Sequence, residues 1–328
     1  MKLYDDQLIV VTGGAGFIGS CVIRELNARG LNNIIIVDDL GKTEKWKNLV
    51  GKKFVDIISK HQLFHWLDGK EALIEAFIHL GACSSTVEMD ASYLLENNFR
   101  FSQSLVRYAL QHGHRFIYAS SAATYGNGTQ GFSDSHELLE TLRPLNMYGY
   151  SKQLFDLWLQ NEGVLDRVAG LKYFNVFGPN EFHKGRMASV ILHMLPVAQQ
   201  EGKVKLFKSS EPDRFADGEQ KRDFIYVKDV ARMTCEFLQN DATGIFNIGR
   251  GIPATWNEMV RTLFKAIDKP VQIEYISMPQ DLIRAYQNFS CADMEKTRAV
   301  LGKAAESMSF ETAITEYVQH YLIPGNRW

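Results

Sequence analysis

The chain has 328 residues, of which 45% are hydrophobic and 23% charged, and this ordinary globular composition excludes a disordered or fibrous protein. Its 36 basic and 38 acidic residues give a net charge of −2, too balanced for a protein that mainly binds nucleic acid or an anionic membrane surface. At about 150 residues per domain, the length suggests two domains or one large α/β unit.

The sequence also argues against export and against metal binding. It has no apolar run of about 18 residues that could cross a membrane, and its first residues carry two acids where a secretory signal needs positive charge. The cysteines are far apart and lack metal-binding spacing, so we expect reduced thiols and no metal site. These features favour a cytoplasmic protein without nucleic-acid or membrane partners.

Short apolar runs alternate with helical patterns through the first half of the chain. The runs that we predict as strands cover residues 8–12, 34–37, 76–80 and 116–120, and the predicted helices between them include residues 17–29 and 97–111. Continuously apolar strands that alternate with helices are typical of a parallel sheet covered on both faces. We therefore predict an α/β fold with a doubly wound parallel sheet.

A glycine-rich run joins the first predicted strand to the first helix. Gly13, Gly16 and Gly19 follow the strand and open the helix. This spacing allows a tight turn and a close approach of the backbone to a pyrophosphate, which binds the free N–H groups at the helix start. The run predicts a Rossmann-type domain that binds a dinucleotide.

An acid stands where this fold contacts the adenosine ribose. Asp38 ends the second predicted strand, about 20 residues after the glycines, and favours NAD because a 2′-phosphate would face a carboxylate. Asp39 strengthens this preference. However, Lys42, Lys45 and Lys47 follow closely and could either bind a phosphate or lie on a solvated surface, so the choice between NAD and NADP stays open.

A second group of polar residues follows the strand at 116–120. Ser121 ends that region, and Tyr148 and Lys152 lie four residues apart, on one face of a predicted helix. An ammonium beside a phenol lowers the pKa of the phenol. The phenol can then exchange a proton with a carbinol while a nicotinamide takes the hydride, and a serine hydroxyl can hold the substrate oxygen.

The pattern changes after about residue 175. We expect strand-like runs at 224–227 and 245–248 to return to the main sheet, with Asp229 as the cap of the helix between them. A strand at 271–278 and a helix at 310–321 would complete a smaller mixed α/β domain. The predicted boundaries are 1–175 plus about 223–250 for the dinucleotide-binding domain, and 176–222 plus about 251–328 for the substrate-binding domain.

Together these features resemble the extended, sugar-nucleotide-modifying branch of the short-chain dehydrogenase/reductase superfamily. More specifically, the segments 79–86, 118–126, 144–152 and 172–190 are similar to those of ADP-L-glycero-D-manno-heptose 6-epimerases. The most specific runs are Gly-Ala-Cys-Ser-Ser-Thr at 81–86 and His-Lys-Gly-Arg-Met-Ala-Ser-Val at 183–190. The similarity spans nearly the whole chain.

This resemblance implies inversion at C6 of an ADP-linked heptose of the lipopolysaccharide inner core, by oxidation and re-reduction with tightly bound NADP, with NAD as the alternative. It assigns the acid–base roles to Tyr148 and Lys184, the positioning of the reacting oxygen to Ser121, and the contact with the cofactor ribose and the phenolate to Lys152. Nearby cations, including the nicotinamide, could lower the pKa of Lys184. Lys184 could instead bind phosphate or lie on the surface.

The resemblance also implies two sets of binding residues and a homo-oligomer, which in this family would be a pentamer. The cofactor set is Gly13, Gly16, Phe17, Ile18, Gly19, Asp38, Asp39, Lys45, Lys60, Gly81, Ala82, Asn97, Tyr148, Lys152, Val176 and Lys184. The ADP-sugar set is Ser84, Ser121, Asn175, His193, Phe207, Ser210, Arg222 and Tyr286. Loop lengths vary around 214–220, so Arg214 stays an alternative to Arg222 for the diphosphate.

Two other functions compete with this interpretation. A related enzyme, such as a UDP-sugar 4-epimerase, would share the fold and Tyr148 but would not need Lys184. A non-catalytic dinucleotide-binding regulator would have no reason to keep Ser121, Tyr148 and Lys152 together.

Overall fold

The computed structural model describes residues 7–283 and 286–328. Residues 1–6, on which the prediction about a secretory signal partly rests, lie outside this range. The strands are β1 (Leu8–Thr12), β2 (Ile34–Val37), β3 (Asp56–Ile58), β4 (Ile74–His79), β5 (Arg115–Ser121), β6 (Ala169–Tyr173), β7 (Asn175–Phe177), β8 (Val204–Phe207), β9 (Lys221–Arg222), β10 (Phe224–Tyr226), β11 (Gly244–Ile248), β12 (Ala254–Thr255) and β13 (Ile273–Ile276).

Helices connect most of these strands. The α-helices are α1 (Phe17–Ala28), α2 (Leu63–Leu67), α3 (Ala91–Leu94), α4 (Phe101–Gln111), α5 (Met147–Asn161), α6 (Val190–Glu201), α7 (Val227–Glu236), α8 (Trp256–Ala266), α9 (Gln280–Ile283), α10 (Glu295–Leu301) and α11 (Phe310–Glu316). Wider π-helical turns at Leu95–Arg100 and Tyr317–Leu322 join α3 to α4 and extend α11. Within the described ranges, every helix is too short or too polar to span a bilayer.

The main sheet has seven parallel strands in the order β11-β6-β5-β4-β1-β2-β3. Its strands are apolar on both faces, as in β2, where all four residues are buried, because helices cover both sides. The predicted doubly wound sheet is thereby confirmed. The strand order reverses between β1 and β4, and ligands of such sheets bind at the carboxyl ends of the strands flanking this point.

The second half differs from the prediction in two places. Strand β11 joins the main sheet beside β6, but β10 does not. It pairs in parallel with β7, because β11 already occupies the edge of β6. Asp229 is not a helix cap: Tyr226 is the N-cap of α7, and the Asp229 carboxylate accepts hydrogen bonds from Arg232 (2.7 Å) and from the Met308 amide (2.8 Å).

The small sheets β7–β10 and β8–β13 pack with α6, α8 and α11 around a second apolar cluster. Phe177, Tyr226, Phe264 and Tyr317 lie at its centre and are almost fully buried. A larger cluster surrounds the main sheet. Strand β7 follows β6 after one residue, so the chain passes from the main sheet into the smaller layer right beside the carboxyl ends of the main strands.

Candidate active site

A cleft of about 700 Å³ opens at the carboxyl ends of β1, β4 and β5. Every residue that the sequence predicts as a cofactor contact lines this cleft, together with Ser84, Ser121 and Asn175 from the predicted substrate set. The structure therefore brings these side chains to one place. Which ligand each of them contacts stays a prediction.

The glycine turn is packed too closely to hold larger residues. Gly13 has a φ of +68°, and a Cβ there would lie 2.7 Å from the Gly81 Cα, while a Cβ on Gly19 would lie 2.1 Å from the Gly13 carbonyl oxygen. Helix α1 begins at Phe17 with neither a side-chain cap nor an acid in its first turn. Its first amide groups are thus available to an anion, which fits the pyrophosphate of a dinucleotide.

The two acids after β2 are each matched by a lysine. The Asp38 carboxylate accepts a hydrogen bond from the Ala15 amide (2.9 Å) and forms an ion pair with Lys45. The Asp39 carboxylate lies 3.7 Å from the Lys60 ammonium, which donates a hydrogen bond to the Asn97 side chain (2.8 Å). The two lysines offset the negative charges of Asp38 and Asp39. The charge at this end of the cleft is therefore compatible with a bound phosphate.

Helix α5 carries Tyr148 to Ser121. The Asn146 side chain caps this helix by accepting a hydrogen bond from the Gly149 amide (2.9 Å). A Cβ on Gly149 would lie 2.7 Å from the Ala123 carbonyl oxygen, so a glycine is needed for the helix to approach the turn after β5. This close approach lets the Tyr148 hydroxyl form a hydrogen bond with Ser121.

Burial shifts the pKa of both Tyr148 and Lys152. Burial raises the pKa of Tyr148, and the hydrogen bond with Ser121 offsets only part of this effect. Burial also lowers the pKa of Lys152 to about 8, against the opposing charge of Asp156. The Lys152 ammonium donates a hydrogen bond to the Ala119 carbonyl oxygen (2.9 Å). Burial is therefore the main influence on the pKa of Tyr148, and the lowering expected from Lys152 beside a nicotinamide stays a prediction.

A buried charge network lies one helical turn below Lys152. Asp156, with no exposed surface, accepts hydrogen bonds from Tyr118 (2.8 Å), Ser120 (2.7 Å) and Lys172 (2.9 Å). Sequence analysis missed this network, although the i,i+4 spacing of Lys152 and Asp156 was a usable signal. The network fixes the end of β5, from which Ser121 projects.

Lys184 lies on a short 3-10 turn, Phe182–Met187, and lines the same cleft. Its ammonium lies 5.3 Å from the centroid of the Phe17 ring. Burial lowers the pKa of Lys184, and the nearby carboxylate of Glu181 opposes this shift. The direction agrees with the prediction, but its main cause is desolvation instead of neighbouring cations.

Buried polar groups hold this turn in place. Glu181 accepts hydrogen bonds from the Ser189 amide (2.6 Å) and the Tyr317 hydroxyl (2.7 Å). Asn180 has a φ of +77°, and its side-chain amide bonds both the N–H and the C=O of Trp328 (2.9 and 3.0 Å). The Asn48 side chain donates to the carbonyls of Asn180 (3.0 Å) and Ala15 (3.1 Å), which ties the lysine turn to the glycine turn.

Five residues of the predicted substrate set do not line this cleft. They lie on or near β8, β9 and α6, which are outside the main sheet. The five residues are His193, Phe207, Ser210, Arg222 and Tyr286. His193 is exposed on α6, and the Ser210 hydroxyl bonds the Asn288 side chain (3.2 Å). Whether these five residues contact a substrate stays a prediction.

Arg222 and Tyr286 nevertheless form a pair beside the cleft. The Arg222 guanidinium lies 5.1 Å from the centroid of the Tyr286 ring, and burial lowers its pKa to about 10. The next residue along, Asp223, accepts a hydrogen bond at its carbonyl from the amide of the cleft residue Asn175 (3.0 Å). Arg214, by contrast, has a 67% exposed side chain paired with a glutamate, so the structure favours Arg222 as an anion ligand.

Known proteins resemble this chain over almost its full length. A sequence profile of the NAD dependent epimerase/dehydratase family matches residues 9–249. An ADP-L-glycero-D-manno-heptose-6-epimerase of Nitratidesulfovibrio vulgaris is 49% identical over 318 residues, covering 96% of this chain and 98% of that protein. The protein of the same name from Fusobacterium nucleatum is 44% identical over 327 residues, with the same coverage.

A solved structure shows the same likeness. The crystal structure of the ADP-L-glycero-D-manno-heptose-6-epimerase of Helicobacter pylori superimposes with a TM-score of 0.80 and 27% identity, covering 96% of each chain. The similarity of the two folds agrees with the sequence identity to the relatives above. The chain therefore belongs to the NAD dependent epimerase/dehydratase family and, within it, to the ADP-L-glycero-D-manno-heptose-6-epimerases.

Proposed function

We propose that this protein inverts the configuration at C6 of ADP-D-glycero-D-manno-heptose and so supplies the heptose of the lipopolysaccharide inner core. The observation that carries this proposal is the presence of two half-buried acid–base groups, Tyr148 and Lys184, in the lining of one cleft. Full-length relatives at 41–49% identity bear this name. A UDP-sugar 4-epimerase would need only Tyr148.

Each side chain has a distinct task in this proposal. The Ser121 hydroxyl holds the C6 oxygen, and Tyr148 exchanges a proton with that oxygen on one face. Lys184 exchanges the proton on the other face, which requires a neutral amine for part of the cycle. Burial favours that neutral form because it lowers the pKa of Lys184. Lys152, whose ammonium donates a hydrogen bond to the Ala119 carbonyl oxygen, contacts the cofactor ribose and the phenolate.

The cofactor that fits the cleft is a nicotinamide dinucleotide. When bound, it supplies a reversible hydride acceptor beside the sugar. The glycine turn and the start of α1 would hold its pyrophosphate, and Asp38 and Lys45 would hold its adenosine ribose. We propose NADP over NAD, because Lys45 and Lys60 offset the two acids at this end. Titration of the apoprotein with each dinucleotide tests this, and tighter binding of NAD would reverse the choice.

The family resemblance adds further proposals about the whole molecule. It suggests a cytoplasmic homo-oligomer, specifically a pentamer, in which residues 1–175 and about 223–250 bind the dinucleotide while the remainder binds the sugar nucleotide. Light scattering on the purified protein measures the mass of the assembly. A monomer at micromolar concentration would contradict the oligomer.

The function is tested by incubating the purified protein with ADP-D-glycero-D-manno-heptose and following the C6 configuration by NMR. We expect conversion to an equilibrium mixture with the L-glycero epimer. UDP-glucose serves as the matched control and should stay unchanged. Conversion of UDP-glucose without conversion of the heptose would contradict the proposal and favour a 4-epimerase.

A further inference from the structure

Arg327 links two short turns that lie far apart in the sequence. Its guanidinium forms an ion pair with the Glu44 carboxylate (3.1 Å) and lies 5.1 Å from the centroid of the Phe182 ring. Glu44 is the first residue of the 3-10 turn Glu44–Leu49, and Phe182 is the first residue of the 3-10 turn Phe182–Met187. One side chain therefore contacts both turns at the residue with which each begins.

Each of these turns presents a lysine to the cleft. Lys45 follows Glu44 and forms an ion pair with Asp38, and Lys184 lies two residues after Phe182. Both lysines line the cleft, whereas its lining does not include Arg327. Arg327 can therefore influence a bound molecule only through the two turns that it contacts.

The backbone beside Arg327 is firmly held. The Trp328 amide donates a hydrogen bond to the Asn180 side chain (2.9 Å), and the main-chain oxygen of Trp328 accepts hydrogen bonds from Asn180 (3.0 Å) and Lys52 (2.6 Å). The Lys228 ammonium lies 5.1 Å from the centroid of the Trp328 ring. The Arg327 side chain thus extends from an anchored stretch of backbone.

The charge of Arg327 also acts within this region. His183 precedes Lys184 and lines the cleft. Burial is the main cause that lowers the pKa of His183 to about 4, and the positive charges of Lys45, Lys184 and Arg327 lower it further. The two cleft lysines and Arg327 therefore lie near the same imidazole ring.

The geometry of these contacts suits positioning better than stabilisation of the fold. The Glu44 side chain is 59% exposed, and ion pairs at such exposed positions add little to stability. A planar guanidinium can, however, pair with a carboxylate while its face contacts an aromatic ring, which fixes its orientation. Loss of Arg327 should therefore loosen the two turns without unfolding the protein.

We propose that Arg327 is a positioning residue that holds the Lys184 turn against the Lys45 turn and so keeps the Lys184 ammonium in place in the cleft. This inference rests on the proposed function, in which Lys184 transfers a proton. Proton transfer is slowed strongly by a displacement of about 1 Å, even when the substrate still binds.

The decisive variant is Arg327→Met, which keeps the aliphatic stem and removes the charged planar group. The kcat for ADP-D-glycero-D-manno-heptose should fall about 5- to 50-fold, whereas KM and the melting temperature should stay close to wild type. Arg327→Lys should recover part of the lost kcat, because an ammonium keeps the charge but not the planar geometry. Arg261→Met, at an exposed position on α8, is the matched control and should change none of these quantities.

A second variant tests the contact from the other side. If Arg327 acts through the Phe182 ring, the double variant Arg327→Met with Phe182→Leu should lose less kcat than the product of the two single losses. Multiplicative losses would overturn the inference. An unchanged kcat in Arg327→Met with a lower melting temperature would also overturn it and assign Arg327 to stability alone. Failure of the wild-type protein to convert the heptose would instead contradict the proposed function itself.

Discussion

The two proposed acid–base groups are held by very different regions of the molecule. Tyr148 lies on a long helix that packs against the main sheet, above the buried Asp156–Lys172 pair. Lys184 lies on a short turn that depends on the left-handed Asn180 and the buried Glu181. Burial controls the proton affinity in both regions, but the first is built by local packing and the second by contacts between distant parts of the chain.

This contrast teaches that an acid–base side chain can be positioned either by a helix packed on a sheet, as for Tyr148, or by a short turn held by a few hydrogen bonds, as for Lys184. A substitution in the residues beneath Tyr148 should lower the free energy of unfolding of the whole protein. A substitution in the residues that hold the Lys184 turn should mainly displace the Lys184 side chain. The following predictions test this difference.

Tyr148→Phe should have the largest effect. Removing the phenol hydroxyl deletes a proton-transfer group, so turnover of ADP-D-glycero-D-manno-heptose should fall about 10²- to 10⁴-fold with dinucleotide affinity retained. Tyr150→Phe, on the same helix but exposed, should behave as wild type. Turnover within tenfold of wild type in Tyr148→Phe would remove Tyr148 from the mechanism.

Asp156→Asn should destabilise the fold by about 3–5 kcal/mol, because it leaves the fully buried Lys172 without its countercharge. Urea unfolding measures this loss. The double variant Asp156→Leu with Lys172→Met should recover most of the stability, since it removes both charges. If Asp156→Asn is as stable as wild type, the hydrogen-bond network of Asp156 does not stabilise the packing of helix α5 on the main sheet.

Lys184→Met should lower turnover about 10²-fold, as loss of an acid–base group does, while the melting temperature and dinucleotide binding stay close to wild type. Arg186→Met, an exposed change on the same turn, is the control and should leave turnover unchanged. Normal turnover in Lys184→Met would show that one acid–base group suffices.

Stability should depend on pH through Lys152. Its folded pKa of about 8 lies below the ordinary value of 10.5, so the cost of burying the ammonium is fully present below pH 8 and disappears as the pH rises towards 10.5. The free energy of unfolding of wild type, relative to Lys152→Met, should therefore rise by about 2–3 kcal/mol across this window. A constant difference between the two proteins would contradict the low pKa.

Asn180→Gly should lower stability by about 1–3 kcal/mol, because glycine tolerates the positive φ and only side-chain hydrogen bonds are lost. Turnover should nevertheless fall severalfold, since the Lys184 turn loses its anchor. Asp268→Gly, at an exposed left-handed position far along the chain, is the control and should leave turnover intact. Equal turnover in both variants would contradict the anchoring role of Asn180.

The parallel sheet and the lining of the cleft could be predicted from sequence because short apolar runs, the glycine spacing and the Tyr148–Lys152 pair are local patterns. The pairing of β10 could not be predicted, because it depends on the position of β11 at the edge of the main sheet, which no local pattern shows. Asn180 was missed because its side-chain partners, Ser20 and Trp328, lie far away in sequence. The raised pKa of Tyr148 depends on burial, which no local pattern reveals.

The roles of the site residues, the domain boundaries, the oligomeric state and the preference for NADP stay predictions. Among them, the central claim is that Tyr148 and Lys184 move only the proton of the C6 hydroxyl oxygen. The most direct test is conversion of ADP-D-glycero-D-manno-heptose in D₂O, with the deuterium content at C6 of the product read by NMR. The account predicts inversion at C6 without deuterium on that carbon, whereas inversion with deuterium incorporated at C6 would contradict it.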